Sequence, residues 1–324
     1  RDFCLSRGLG DVYKRQMYYF IVNPNSRSGK GALIWKELRR TLRQKHISYK
    51  AVFTGYRGHA VKLAASITAK ASPEHPVYLI AVGGDGTIQE VLSGVKDLSC
   101  IYFGYIPTGS GNDFCRSMQL PQDPHEALDC ILKRKHIASM DVPVISIKGR
   151  KSHFAISCGI GFDAAVCHEV SVTPMKKILN RVGLGKLVYL FVALKQLLFL
   201  KPVPVTLRMD EERIYPFHKV YFAAVMNQKY EGGGFKFCPD ASPSDGYLDV
   251  IVVDGLSKLK VLFCLPTAFW GKHTQFTGIH IFRCKKVEVF STVPLAVHKD
   301  GESAGIQETF SVSIEKEPVK IILP

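Results

Sequence analysis

Val77-Tyr78-Leu79-Ile80-Ala81-Val82-Gly83-Gly84-Asp85-Gly86-Thr87 decides how this chain folds. Its first six residues form an apolar, β-rich run of the kind buried on both faces of a parallel sheet. The glycines that follow mark a tight turn. Thr87-Ile88-Gln89-Glu90 then has the Thr-x-x-Glu spacing of a capping box, which predicts a helix starting at Thr87. Strand, glycine turn and helix N-terminus together offer free backbone N–H groups and the positive end of a helix dipole, a setting that holds phosphate. A plain strand-to-helix turn has the same pattern, so the function of this stretch depends on its company.

The same alternation runs outward from it. Tyr18–Val22 reads as a strand, followed by a Gly/Ser turn and a helix over Ala32–Gln44. Tyr49–Phe53 is a second strand, Ala60–Ala71 has helical spacing, and Ile101–Ile106 is a fourth strand. Strands separated by helices imply right-handed βαβ units and an α/β domain with a parallel sheet, over residues 17–147. In such sheets ligands gather at the carboxyl ends of the strands. Three polar, glycine-rich loops sit there: Asn23-Pro24-Asn25-Ser26-Arg27-Ser28-Gly29-Lys30-Gly31, the GGDGT loop, and Pro107-Thr108-Gly109-Ser110-Gly111-Asn112-Asp113. The first is not a Walker A loop, because no glycine stands five positions before Gly29-Lys30.

From about residue 148 to 324 the texture changes. Short β-rich runs recur at 152–158, 203–209, 220–225, 248–253, 287–290, 295–297 and 310–314, separated by turn residues. They read as a mainly antiparallel β-sandwich or barrel, with the last residues able to pack back on the first domain. Asp245-Gly246 and Asp300-Gly301-Glu302 have the form of Asp-Gly turns. Residues 1–16 show no periodicity and no apolar signal core; they read as an extension ahead of a fold that starts at Met17.

The chain of 324 residues carries a formal net charge of +15, which calls for an anionic partner. Nine dispersed cysteines without a Cys-x-x-Cys pair argue against a zinc site or disulfide framework, and point to a reducing, cytoplasmic setting. No helix-turn-helix, zinc-finger or aromatic RNA-reading motif accompanies the charge, so nucleic acid is not the expected partner. Residues 170–209 contain no Asp or Glu but hold Lys176, Lys177, Arg181, Lys186, Lys195, Lys201 and Arg208 around the apolar runs 187–194 and 197–200. Lys186 and Lys195 fall on roughly opposite faces at about 100° per residue. The segment is either a helix buried under the second domain with snorkelling lysines or a docking surface for anionic lipid.

In order, NPNSRSGKG, GGDGT with Gln89-Glu90, PTGSGNDF, Gly159-Ile160-Gly161-Phe162-Asp163, Asp245-Gly246-Tyr247-Leu248 and Asp300-Gly301-Glu302 resemble the lipid kinases with a diacylglycerol-kinase catalytic domain, and more distantly the sphingosine kinases. The resemblance spans Met17 to Pro324. It implies an ATP-dependent kinase that phosphorylates a lipid hydroxyl, requires Mg²⁺ and serves phospholipid metabolism; with the basic charge of the chain, the expected setting is peripheral on an anionic membrane, and a homodimer is compatible with it. The α/β domain would be NAD-kinase-like and diacylglycerol-kinase-like.

By the same resemblance, Asn23, Pro24, Asn25, Ser26 and Gly29 would touch ATP, with Thr54 near it. Gly83, Gly84, Asp85, Gly86, Thr87 and Gln89 would wrap the phosphates, with Ser110 and Asn112 completing the nucleotide set. Asp85, Asn112 and Asp113 would organise the metal and its waters. Ser242, Asp245 and Tyr247 would hold a structural Mg²⁺, the outer two through backbone carbonyls. Asp300 and Glu302 would be the catalytic acidic pair, Asp300 the preferred proton acceptor. Ser110 stands where many members have threonine, which keeps the hydroxyl. The rivals are an NAD-kinase-like phosphotransferase, which shares GGDGT, and a silent lipid- or nucleotide-binding regulator.

Overall fold

A computed structural model describes residues 17–27, 29–109, 111–172 and 185–324. The chain divides into two compact units, residues 1–140 with 317–324, and residues 141–316. The basic residues Lys176, Lys177 and Arg181 and the hydroxyl of Ser110 lie outside the described residues. The described cysteines are all free thiols. No helix among the described residues is long and apolar enough to cross a membrane.

The first unit is built on strands β1 (Tyr18–Val22), β2 (Tyr49–Phe53), β3 (Val77–Gly83), β4 (Ile101–Pro107) and β5 (His136–Met140). It also takes in the last strand of the chain, β15 (Val319–Leu323), and the sheet order is β2-β1-β3-β4-β15-β5. All neighbours run parallel except β5. Helices α1 (Lys30–Gln44), α2 (His59–Thr68), α3 (Asp85–Gly94), α4 (Asp113–Ser117) and α5 (Pro124–Lys133) link them. Trp35, Leu38 and Leu42 of α1 recur on one helical face and pack with Leu128 and Ile131 of α5 on Phe20, Ile80 and Ile106. Because β1 lies between β2 and β3, the strand order reverses there, and such a switch point opens a crevice at the carboxyl ends of β1 and β3.

The capping box expected at Thr87 is not formed. α3 begins at Asp85, after Gly84, without a side-chain cap. Thr87 instead turns back to accept a hydrogen bond from Asn23 Nδ2 at 3.3 Å. Glu90 caps a different helix: its Oε1 accepts the N–H of Gly58 at 2.7 Å and its Oε2 that of Ala60 at 3.2 Å, at the start of α2. That helix has only Gly58 at its N-cap, so the carboxylate arrives from the neighbouring helix. The two helices meet closely; a Cβ on Gly94 would lie 2.2 Å from the carbonyl oxygen of Val61.

The second unit comprises β6 (Pro143–Ile147), β7 (Arg150–His153), β8 (Ser157–Gly161), β9 (Val203–Met209), β10 (Arg213–Met226), β11 (Leu248–Asp254), β12 (Ile279–Cys284), β13 (Lys286–Lys299) and β14 (Glu302–Ile314). Every pairing is antiparallel. β10 and β13 are each 14 residues long and carry register shifts; their first halves hold β9 between them and their second halves hold β8. The run expected at 152–158 is thus two strands, and those at 287–290 and 295–297 are one strand interrupted by a bulge. One sheet face closes on its own side chains, among them Ile160, Leu207, Val225, Val250, Val289 and Val312. The other is covered by helices α6 (Phe162–Val172), α7 (Gly185–Phe199) and α8 (Lys258–Thr267), through residues such as Val166, Val192 and Val261 against Phe222, Ala224 and Ile251.

Glu90→Gln should lower stability to urea by about 1–2 kcal/mol, because one oxygen that accepts an N–H becomes a donor. An unchanged unfolding midpoint would refute the cross-helix cap.

Candidate functional site

Three loops meet at the carboxyl edge of the first sheet. After β1, Asn23 N–H donates to Val82 O at 2.8 Å, so the loop leaves along β3. Ser26 Oγ and Thr108 Oγ1 are 2.7 Å apart, which joins the loop after β1 to the loop after β4. Thr108 N–H donates to Gly83 O at 2.7 Å, and a Cβ on Gly109 would stand 2.7 Å from Gly84 Cα, so the loops after β3 and β4 touch backbone to backbone. Thr54, after β2, donates its N–H to Val22 O at 2.9 Å. Only glycine fits at Gly83, where a Cβ would lie 2.2 Å from Thr87 Oγ1. Gly29 and Asn112 take φ of 92° and 54°, the left-handed region that glycine and asparagine tolerate.

The sequence-derived nucleotide residues therefore gather in large part. Asn23, Ser26, Gly83, Gly84, Asp85 and Thr87 share direct contacts, and Asp85 Oδ2 accepts the N–H of Asp113 at 3.3 Å. Asp113 in turn is ion-paired with Arg116. Pro24 accepts the N–H of Ala32 through its carbonyl, and Asn25 is exposed. Gln89 does not join them: it is buried, and its amide donates to Ser93 Oγ at 3.0 Å on its own helix. Two residues were missed, Thr108 and Tyr105. The Tyr105 hydroxyl donates to Gly83 O at 3.1 Å, and burial, with the Asp85 charge beside it, pushes its pKa well above the ordinary value. The Pro-Thr-Gly junction was visible as a signal for Thr108; Tyr105 read only as a strand residue.

In the second unit, Asp300 and Gly301 form the two-residue loop of the β13–β14 hairpin, closed by the Lys299–Glu302 pair, both at positive φ as a type I′ turn requires. This turn does more than reverse the chain. The Asp300 carboxylate is buried: Oδ1 accepts the N–H groups of Ile156 and Ser157 at 2.7 and 3.0 Å, and Oδ2 that of Ala155 at 2.8 Å. Burial raises its pKa, against the lowering effect of the three amides and of His298. Glu302 opens β14 and is half-buried.

Next to this turn is a group of charges that sequence reasoning missed. Fully buried His298 lies 2.9 Å from Asp163 Oδ2 and 3.2 Å from Glu231 Oε1 through Nε2, and Gly301 N–H approaches its Nδ1 at 3.4 Å. Gly159 makes room for the group; a Cβ there would lie 2.4 Å from Asp163 Oδ2 and 2.8 Å from His298 Nε2. Burial disfavours the imidazolium, but Glu231 and Asp163 outweigh it, with Asp300 adding to them, and raise the pKa of His298 to about 9. Asp163 stood in a quoted motif; nothing linked it to positions 231 and 298.

The loop at 242–249 has its own charge balance. Asp245 accepts the N–H of Tyr247 at 3.0 Å and is ion-paired with Arg283, whose guanidinium stacks over the Tyr247 ring at 4.8 Å. Asp141 accepts the N–H of Gly246 at 2.7 Å, and burial raises its pKa, with the Asp245 charge adding to the rise. Asp249 is raised to about 6 by burial, against Arg283 and with Asp245 and Asp240 adding to the rise. Arg283 also approaches Asp249 at 3.8 Å, and Lys285 lies over the Tyr247 ring at 5.5 Å, so two cations face the carboxylates of Asp141, Asp245 and Asp249. Carboxylate oxygens are the ligands a hard divalent cation prefers, and Asp245 is the carboxylate of this loop that the sequence put forward for one.

Residues 17–144 match the diacylglycerol kinase catalytic domain, and residues 157–322 match the YegS C-terminal NAD kinase beta sandwich-like domain. The chain is 29% identical over 310 residues to YtlR of Bacillus subtilis, named as a candidate lipid kinase, covering 94% of this chain and 98% of that one. It is 29% identical over 288 residues to a diacylglycerol kinase of Mycobacterium tuberculosis, covering 86% of this chain and 87% of that one. Among solved structures, a candidate diacylglycerol kinase of Bacillus anthracis superposes with a TM-score of 0.72 at 23% identity, covering 95% of each chain. At that identity the likeness concerns the fold.

The His298 charge group predicts a pH dependence. With a native pKa of about 9 against about 6.5 for a free imidazole, its stabilisation is fully present below pH ~6.5 and is lost as pH rises through ~9, on the order of 3 kcal/mol. Thermal unfolding followed from pH 6 to 10 should show this decline, and His298→Gln should remove it. An equal alkaline decline in the variant would refute the assignment.

Proposed function

Because the chain belongs to the family of lipid kinases with a diacylglycerol kinase catalytic domain and a YegS-type C-terminal β-sandwich, we propose that it transfers the γ-phosphoryl group of ATP to a hydroxyl of diacylglycerol or a related lipid. The observation that carries this reading is the junction of three glycine loops at the switch point of the first sheet, through Ser26–Thr108, Thr108–Gly83 and Gly84–Gly109. Backbone N–H groups and the first turn of α3 make such a junction suited to a triphosphate. Phosphoryl transfer through a loose transition state asks the protein chiefly to position groups and offset charge. Asp85, at the start of α3, is the carboxylate that would orient a phosphate-bound Mg²⁺ and its waters, with Asn112 beside Asp113.

Asp300 is the group we assign to receive the proton of the lipid hydroxyl. Its Oδ1 already accepts two amides, but its Oδ2 accepts one and keeps a lone pair for a substrate O–H. Burial increases its basicity, which suits a proton acceptor working near neutrality. Glu302, on the far side of Gly301, would support or exchange roles with it. The rival reading, an NAD-kinase-like phosphotransferase, differs from this one in the acceptor, which the labelling experiment below distinguishes.

For the structural Mg²⁺ we assign Asp245, with the backbone carbonyls of Ser242 and Tyr247; such a cation would offset the carboxylate charge around the loop. Millimolar Mg²⁺ should raise the thermal midpoint of the protein without nucleotide, and Asp245→Asn should abolish the rise. A rise that persists in the variant would refute this ligand set.

Radiolabelled ATP should phosphorylate one class within a panel of hydroxyl-bearing lipids and leave NAD unlabelled. Asp85→Ala should abolish transfer with the fold intact. Asp300→Asn should lower kcat by about 10²–10⁴-fold, with some loss of stability because its amide would face a backbone N–H. Measuring kcat per folded molecule beside the thermal midpoint of the same variant separates the two effects, and Glu302→Gln should lower kcat as well. Label on NAD instead of lipid, or an active Asp85→Ala, would refute the proposal.

A further inference from the structure

Two helices of the second unit are apolar on both sides. On α7, Val192 and Leu197 are buried under the sheet, whereas Phe191, Leu198 and Phe199 on the outer side are 60, 67 and 75% exposed. On α8, Val261 and Cys264 face inward, and Leu259 and Phe263 are 67 and 72% exposed; Trp270, just beyond the helix, is 69% exposed. The spacings 191–194–198 and 259–262–263–266 follow single helical faces, so the outward apolar surface has the same period as the inward one. The helices are neighbours: both cover one core, and Lys258 Nζ donates to Leu198 O. A helix apolar all round belongs in an interior or against a membrane, and folded monomers rarely leave a contiguous apolar patch of this kind in water.

The charge on this surface selects its partner. Residues 255–287 contain no Asp or Glu, as residues 170–209 contain none, and the fold brings the described parts of the two runs together. Lys260 and Lys272 are exposed beside the apolar side chains, and Lys201 follows α7 after Leu200. A second copy of the chain seated symmetrically here would set lysine against lysine, which opposes an isologous dimer. A bilayer rich in anionic lipid meets both requirements, with phosphate for the lysines and acyl chains for the aromatic and leucine side chains.

We propose that the outer face of α7 and α8, with the turn through Trp270, inserts shallowly into anionic phospholipid bilayers and docks the protein there. This deepens the lipid-kinase reading by naming the surface that meets the substrate's own phase, yet it stands on exposure and charge and not on the glycine loops. Of the two alternatives for residues 170–209, the described part of α7 has a share in each: its inner side belongs to the core and its outer side is apolar and exposed.

The test is co-sedimentation of the full chain with vesicles of phosphatidylcholine alone or with about one third phosphatidylserine, across a salt series. Wild type should bind the anionic vesicles and weaken as salt rises from about 0.05 to 0.5 M, where the screening length shortens to a few Å. Lys260→Glu/Lys272→Glu should reduce the partition constant about tenfold or more. Phe263→Ser/Trp270→Ser should reduce it comparably while the salt slope stays that of wild type. These side chains are exposed, so the thermal midpoints should not fall. Turnover on a short-chain lipid below its micellar concentration should be unchanged in both variants. Wild-type vesicle binding by both variants would overturn the proposal, as would a wild-type dimer that Phe263→Ser/Trp270→Ser dissociates. Vesicle binding by a protein that phosphorylates no lipid would leave the docking face standing and remove the kinase reading alone.

Discussion

The absence of a side chain at Gly83 is the constraint on which the first unit depends. With a hydrogen in place of Cβ, Thr87 can fold back against the end of β3, where it accepts from Asn23. That contact draws in the loop after β1, which reaches the loop after β4 through Ser26 and Thr108. Gly84 and Gly109 repeat the device one residue further, backbone against backbone. Any side chain at Gly83 or Gly109 would separate loops whose value lies in their converging N–H groups. Parallel strands place the three loops at one edge, and the glycines let them close.

The second unit solves a different problem, that of holding charge inside a β-sheet. Asp300 is fixed at positive φ and its carboxylate is driven inward, where three consecutive amides from 155–157 receive it. Such an oxyanion site is stable only if the backbone of 155–157 is itself held, and Asp300 N–H closes the loop by donating to Ser157 O at 2.8 Å. One residue pair along, His298 lies between Asp163 and Glu231, and its positive charge offsets part of a local excess of carboxylates. The Asp-Gly turn is thus both a hairpin and a clamp, so an ordinary local signal conceals a long-range one.

What the sequence made legible follows from range. Alternating strands and helices, the parallel sheet and the glycine loops depend on neighbours a few residues apart, and β2 ends where composition says it should, at Tyr49–Phe53. The capping box failed because Thr87 and Glu90 found better partners far away: Asn23 for one, the amides of Gly58 and Ala60 for the other. Strand β13 looked like two strands because a bulge breaks its alternation without ending its pairing. Asp163, Glu231 and His298 carry no mutual signal at all, since a buried ion pair is set by tertiary geometry and not by spacing. Gln89 shows the converse, a residue inside a motif whose side chain serves its own helix.

The net charge of +15 was legible as a demand for an anionic partner but not as a place. A triphosphate bound as proposed would meet loops whose attraction comes from backbone dipoles, with few lysines among the residues that join them. The acid-free runs instead meet on α7 and α8, where charge and apolar exposure coincide. Electrostatic attraction to a surface falls off over roughly 8–10 Å and does not discriminate among anions, whereas insertion of aromatic side chains requires acyl chains. The two together are selective where either alone is not. A protein whose substrate resides in a bilayer gains more from that combination than from a tighter pocket, because residence at the surface raises the local concentration of every lipid it could use.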